Sequence, residues 1–137
     1  MKTILTVALM GLFCFIGCNS MARTYPYRVI VVNLSDKGIT ENRVLDSSGK
    51  YNYGSGSIGP FIYKANAGPM ETAPNDVFTV RWKDEQNEEH EQKLDLRKRV
   101  KRGFKGEIVF IHGADKRFTF EVYESQRQYQ IPSRPKS

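Results

Sequence analysis

The residues of this sequence that could perform chemistry are few, and its two histidines come first. His90 stands among Glu88, Glu89 and Glu91, and His112 ends an apolar segment. A zinc site needs three or four ligands, which here only scattered carboxylates could complete. A Ser-His-Asp triad on an α/β fold would show a G-x-S-x-G elbow, and the sequence has none. We therefore expect partly buried strand histidines with a charged rim, no metal site and no enzyme.

A glycine pattern raises the question of a nucleotide cofactor. The segment from Gly54 to Gly59 matches G-x-G-x-x-G. A dinucleotide site needs that loop between a strand and a helix, because the helix N-terminus binds the pyrophosphate. Pro60 and Phe61 follow instead, without a helical pattern. The glycines therefore predict a flexible or tightly turned loop and no cofactor.

The strongest charge feature is a run of five cations within six residues. The whole chain of 137 residues carries 21 Lys and Arg against 15 Asp and Glu, a net charge of +6. Such a run contacts an acidic protein, contacts anionic lipid headgroups, or only solubilises a loop. The cations of the run are Arg97, Lys98, Arg99, Lys101 and Arg102.

Four aromatic residues in a glycine-rich region are the other candidate binding residues. They are Tyr51, Tyr53, Phe61 and Tyr63. Aromatic side chains on adaptable loops are typical anchors of protein interfaces, and aromatic side chains are also common in hydrophobic cores. The sequence leaves both roles open.

The N-terminus indicates where the protein resides. After Lys2, an uncharged apolar run from Ile4 to Ile16 is too short to span a bilayer and is typical of a signal peptide. The segment Phe15-Ile16-Gly17-Cys18 resembles the lipobox of bacterial lipoproteins. We therefore predict a signal peptide over residues 1–17, a lipid on Cys18 and a tether over residues 18–26. Asn19 after the cysteine favours the outer membrane by resemblance to sorting rules, with the domain facing the periplasm; this makes nucleic acid an improbable partner.

The rest of the chain predicts an all-β domain over residues 27–124 and a flexible C-terminal tail over residues 125–137. Tyr27 to Leu34 is apolar at both parities, as expected of a strand buried on both faces, and Ile39 to Leu45 is expected to return as its hairpin partner. Alternating strands follow at Val77 to Lys83 and around His90, with two more from Glu107 and Phe118, while Asp46 to Pro74 is irregular or partly stranded. About six strands predict a small antiparallel β-sandwich or open barrel. Trp82 and Phe120 are assigned to its core.

Several short motifs are similar to those of a known family. They are Val77-Phe78-Thr79-Val80-Arg81-Trp82, His90-Glu91, the apolar strand near Ile108 to Phe110, the opening strand Arg28 to Asn33, and Ser57-Ile58-Gly59-Pro60. Over residues 27–124 the chain thus resembles a family of small bacterial lipoproteins found beside phospholipase effectors of type VI secretion systems. Asn66 to Asn75 lacks the paired cysteines of that family, and the basic run replaces its proline-containing loop.

The resemblance implies a stoichiometric, non-catalytic immunity protein. Such a protein would bind a cognate secreted lipase in the periplasm and occlude it, with the four aromatic residues as anchors and the five cations steering an acidic patch. Two alternatives stay open. One is an envelope lipoprotein that binds anionic lipid or another cell-wall component through its basic loop. The other, weaker one is a hydrolase that depends on His90 or His112.

Overall fold

The structure is a computed structural model that describes residues 23–54, 56–66, 69–126, 129–133 and 136. The predicted signal peptide, Cys18 and the first part of the tether lie outside the described residues. Within the described ranges, no helix is long and apolar enough to cross a membrane.

Eight strands build the domain. They are β1 (Arg28–Asn33), β2 (Ile39–Leu45), β3 (Gly56–Ile58), β4 (Ile62–Asn66), β5 (Val77–Lys83), β6 (Glu89–Asp95), β7 (Glu107–His112) and β8 (Phe118–Tyr123). The six strands predicted from residue patterns are all present. The two short ones, β3 and β4, lie in the segment predicted to be irregular or partly stranded.

The strands form two four-stranded sheets that pack face to face, which confirms the predicted β-sandwich. Sheet I has the order β4-β1-β7-β8, and sheet II has the order β3-β2-β5-β6. Phe78 of sheet II meets Phe110 of sheet I edge-on, with ring centroids 5.5 Å apart. The layers are therefore joined by a common apolar core.

One pairing differs from the prediction. β1 and β2 do not form a hairpin: β1 pairs with β4 and, in parallel, with β7, whereas β2 pairs with β3 and β5. The two strands suit different sheets: β1 is apolar at both parities and suits a position buried on both faces, whereas β2 exposes Thr40, Glu41 and Arg43 and suits a sheet with one face in water. The short connection after Asn33 therefore crosses from sheet I to sheet II.

The two central strands of sheet I, β1 and β7, are buried on both of their faces. Val29, Val31, Ile108 and Phe110 point into the main core between the sheets. Residues of the opposite parity form a second, smaller core on the outer face: Ile30, Val32, Val109 and Ile111, with Leu34, Tyr123 and Tyr129 packed against it. Tyr129 belongs to the range predicted as a flexible tail, and it meets the Tyr123 ring at 5.9 Å. The flexibility of the tail as a whole stays a prediction.

The sandwich has two distinct ends. The basal end is where β1 begins at Arg28, β6 ends at Asp95 and β7 begins at Glu107. The distal end is where β1 ends at Asn33 and β7 ends at His112, and the turns over residues 34–38, 59–61, 84–88 and 113–117 lie there. This division decides which of the predicted site residues can act together.

Candidate functional site

The four predicted aromatic anchors do not form one surface. Tyr51 and Tyr53 lie at the basal end, in the turn that follows β2. Phe61 lies in the distal turn before β4, and Tyr63 lies in β4 itself. Sequence spacing placed them together, but β3 and the turn after it carry the chain from one end of the sandwich to the other.

Of the two basal residues, Tyr51 and Tyr53, at least Tyr53 has a structural role. Tyr53 is half-buried against the main core, and its hydroxyl accepts a hydrogen bond of 3.2 Å from the Thr72 amide. Burial raises the pKa of Tyr53. Tyr51 is half-buried as well, with the Lys50 ammonium 5.2 Å from its ring centroid. Neither side chain is presented as a fully exposed anchor.

The distal pair lies beside an exposed apolar side chain that sequence reasoning missed. In β4, Ile62 is 50% exposed and Tyr63 is 47% exposed, and they are the exposed large hydrophobic side chains of the described residues. β4 is the edge strand of sheet I, so one row of its backbone groups points away from β1. Phe61 precedes them with a φ of 54°, a left-handed conformation that few non-glycine residues adopt. The sequence feature that could have indicated Ile62 as a binding residue is its position between Phe61 and Tyr63.

The basic run connects sheet II to sheet I at the basal end. Its five cations are exposed, whereas Val100 within the run is only 4% exposed and Phe104 after it is 8% exposed. The amides of Arg99 and Val100 both donate to the Leu96 carbonyl at 3.0 Å. The loop is therefore anchored in the core by its apolar residues and holds its charges outward.

The cations of the run are not equivalent. Arg97 forms a bidentate ion pair with Asp95, with Nη2 to Oδ2 at 2.6 Å and Nε to Oδ1 at 2.9 Å. Its hydrogen bonds lower the pKa of Asp95 to about 2. Arg99 lies over the Phe120 ring, 5.8 Å from the centroid. Phe120 is half-buried against the core, as Trp82 is buried within it, in agreement with their predicted assignment.

The two histidines flank Trp82 at the distal end. His90 stacks on the Trp82 ring at 5.3 Å, and His112 meets the same ring edge-on at 5.7 Å. His90 is partly buried, as predicted, whereas His112 is 3% exposed. Burial lowers the pKa of His112, and the Asp115 carboxylate acts in the opposite direction. The ring contacts and the lowered pKa favour a neutral His112 ring packed against Trp82.

A group of possible metal ligands surrounds His90. One side-chain ligand atom each of Asp84, Glu88 and His90 lies within 4.8 Å of the others. These residue types can bind zinc. Hydrogen bonds within the β5–β6 turn already account for the spacing: Asp84 Oδ1 accepts from the Gln86 and Glu88 amides, and Asp84 Oδ2 lies 2.8 Å from His90 Nε2. The His90 interaction lowers the pKa of Asp84.

A shallow concavity of about 620 Å³ lies over charged strand residues of β2, β5 and β6. It contains three cations and three carboxylates, and two cross-strand pairs are close: Arg81 Nε lies 2.7 Å from Glu91 Oε2, and Lys83 Nζ lies 2.9 Å from Glu41 Oε1. Exposed pairs of this kind contribute little to stability. Because its positive and negative charges are equal in number, this face has less net attraction for an ionic ligand than the basic run.

Comparison with known proteins leaves the family open. Neither a protein-family model nor a curated protein matches the sequence. Among solved structures, the fold is similar to an NMR structure of a protein from Eubacterium rectale, with a TM-score of 0.47 and 8% sequence identity. That similarity covers 76% of this chain and 91% of the other.

Proposed function

We propose that this protein is a lipid-anchored immunity protein that binds and inhibits a secreted lipase in the periplasm. The proposal rests on the resemblance of its motifs to lipoproteins beside type VI secretion phospholipases. Its support in the structure is a surface suited to binding a protein. The lipid on Cys18 and the place in the outer membrane are parts of the same proposal.

The observation that carries the proposal is the exposure of Ile62 and Tyr63 on an edge strand. As successive strand residues they point to opposite faces of sheet I, so they lie on either side of the exposed edge of β4. An aromatic residue on a rigid edge strand is a typical energetic centre of an interface, and the edge itself accepts a partner strand. Phe61, in the turn before β4, is half-buried.

Among the described residues, neither histidine ring is hydrogen-bonded to a hydroxyl group. His90 contacts the Asp84 carboxylate, and His112 contacts the Asn33 side chain. The Ser35 hydroxyl lies close by, but it is hydrogen-bonded to Asn33 Oδ1 and the Lys37 carbonyl. A nucleophile activated by either ring would need such a hydroxyl directed at the ring nitrogen. Occlusion of the lipase, without chemistry, is the mechanism that we propose.

Inhibition by occlusion sets a requirement on affinity. A single active lipase molecule turns over many lipids, so the complex must dissociate rarely. A Kd in the nanomolar range corresponds to about −12 kcal/mol. A standard interface of about 800 Å² on each partner supplies this when it has a well-packed centre. The β4 edge with Ile62 and Tyr63 would be that centre.

The experiment is affinity capture by the chain from residue 19 to residue 137, from a lysate of its own organism, with identification by mass spectrometry. Both described cores are formed by residues from Tyr25 onward, so this chain keeps every described core contact. We expect one lipase, inactive in the complex. Ile62→Ala with Tyr63→Ala should weaken binding about 30-fold or more, as truncation of a central anchor does. Tyr51→Ala is the matched aromatic control and should retain binding.

A second candidate function is that of an envelope lipoprotein whose ligand is anionic lipid or another cell-wall component. It is favoured by the position of the basic run at the end of the domain where the described chain begins. The two candidates differ in the need for a protein partner. Failure to capture any lipase from cells that express one would favour the second.

A further inference from the structure

The basal end concentrates positive charge. Among the described residues, eight exposed cations lie there: Arg23, Lys50, Arg97, Lys98, Arg99, Lys101, Arg102 and Lys105. Three exposed carboxylates lie at the same end, Glu71, Asp95 and Glu124, together with half-buried Asp76 and buried Asp46, and Asp95 is paired with Arg97. The basal end therefore has a large excess of positive charge.

The distal end is slightly acidic when half-buried Asp84 is counted with the exposed charges. Its four turns carry the carboxylates Asp36, Asp84, Glu85, Glu88 and Asp115 against the cations Lys37, Lys116 and Arg117. The charges are therefore separated along the length of the sandwich. A domain with this distribution orients itself next to a negatively charged surface, with the basal end toward it.

The described chain begins at the basal end. Tyr25 is bridged to Met70 by two backbone hydrogen bonds of 2.7 and 2.8 Å, and the chain then enters β1 at Arg28. Cys18 precedes Arg23 by five residues in the sequence. A fully extended chain of that length spans about 18 Å, so a lipid on Cys18 would keep this end close to the bilayer.

We propose that the basal end is a membrane-docking surface that places Lys98, Arg99, Lys101 and Arg102 against anionic phospholipid headgroups. This inference rests on the proposed lipid on Cys18, but it goes beyond the proposed inhibition, because it needs no lipase and concerns a different surface from the β4 edge. It also orients the domain, since the distal end then faces away from the membrane.

The chemistry of the basal end favours lipid headgroups over a protein partner. Protein interfaces are centred on exposed aromatic or aliphatic anchors, and the described residues that are so exposed, Ile62 and Tyr63, belong to β4. Attraction to headgroups needs only cations near the surface, without an apolar centre. Val100 and Phe104 fix the loop, so little conformational freedom is lost when its charges meet the membrane.

The test measures binding of the chain from residue 19 to residue 137 to vesicles of phosphatidylcholine, with and without phosphatidylglycerol. We expect binding only to the anionic vesicles, weakened by added salt because salt screens exposed charges. Each cation near the surface contributes about fivefold to partition. Replacing Lys98, Arg99, Lys101 and Arg102 with Gln should therefore lower the partition coefficient by roughly 600-fold if the four contributions multiply.

A control variant with the same net charge as the first variant distinguishes binding by the basal surface from a general effect of the protein's net charge. It carries Gln in place of four exposed cations of the distal end and of β2: Lys37, Arg43, Lys116 and Arg117. We expect this variant to keep most of the binding, with circular dichroism confirming that both variants are folded. Equal losses in the two variants would overturn the proposal. Equal binding to neutral and anionic vesicles would also overturn it. The same holds if replacing the four cations slows association with a captured lipase and leaves vesicle binding unchanged.

Discussion

Asn33 and His112 are register partners in the parallel pair β1–β7, and Asn33 Oδ1 lies 3.0 Å from Nδ1 of the buried histidine. The Asn33 amide donates from Nδ2 to the carbonyls of Lys37, Ile58 and Gly59, which fixes its orientation. Oδ1 is then the acceptor, so the proton of the neutral imidazole sits on Nδ1. One side chain thus joins both sheets and the distal turn and sets the tautomer of His112.

Loss of the Asn33 side chain should destabilise the domain more than its size suggests. Asn33→Ala leaves three carbonyls, the Ser35 amide and His112 Nδ1 without their partner, and each unsatisfied buried group costs about 1–3 kcal/mol. We expect the free energy of unfolding to fall by about 3 kcal/mol or more. Urea denaturation followed by the fluorescence of Trp82, the single tryptophan, measures it.

The control for that substitution is Asn52→Ala. Asn52 is exposed, and its side chain makes one local hydrogen bond, from the Gly54 amide at 2.7 Å. Its loss should cost about 1 kcal/mol or less. Equal effects of the two substitutions would show that the Asn33 network does not join the sheets.

Unfolding should depend on pH through His112. Burial lowers its pKa below the 6.5 of the unfolded chain. Below pH 6.5 the unfolded chain therefore binds a proton that the folded chain does not, and stability falls as the pH drops toward the lower pKa of the folded state. Above pH 6.5 this contribution to stability is fully present.

The measurement compares urea denaturation of the wild type and of His112→Asn at several pH values between about 5.5 and 7.5. An asparagine amide can replace the Nδ1 donor toward Asn33 without titrating. We expect the variant to have a smaller pH dependence than the wild type. Asp115, His90 and Lys116, which act on the pKa of His112, are unchanged in it. Identical pH dependence in both proteins would show that His112 does not control the effect.

Two glycines on either side of Phe104 should respond differently to the same substitution. A Cβ at Gly106 would overlap the carbonyl oxygen of Tyr123, a backbone atom that cannot rotate away. A Cβ at Gly103 would meet no heavy atom within 4 Å. Gly106→Ala should therefore cost about 1–3 kcal/mol or more, whereas Gly103→Ala should change stability by about 0.5 kcal/mol or less. Thermal unfolding of both variants gives the answer, and equal stabilities would contradict the close approach of β8 to this loop.

Strands with regular patterns were predictable from the sequence. The alternation of Phe78, Val80 and Trp82 specified β5, and apolar residues at both parities specified β1 as a strand buried on both faces. Strand partners were not predictable, because side-chain pattern states which face is buried and not which strand lies beside it. The parallel β1–β7 pair joins residues 79 positions apart, such as Asn33 and His112, and no local feature announces it.

The candidate site residues also show that a side-chain pattern does not predict which strands lie side by side. The exposure of the basic run followed from its charge, and the structure adds that Val100 and Phe104 anchor it. The four aromatic residues were chosen by spacing, which cannot tell that Tyr53 contacts the core while Tyr63 lies on an edge strand. Ile62 was missed because an aliphatic residue in a strand is normally assigned to a core. Its exposure is a property of the sheet order, which places β4 at the edge.

The proposed inhibition is tested most directly by a titration. The lipase captured from the native organism is assayed on phospholipid vesicles while the chain from residue 19 to residue 137 is added in increasing amounts. We expect activity to fall linearly and to reach zero at an equimolar ratio, with Ile62→Ala plus Tyr63→Ala shifting the curve to higher concentrations. Undiminished lipase activity at a large molar excess of this protein would contradict the proposed function.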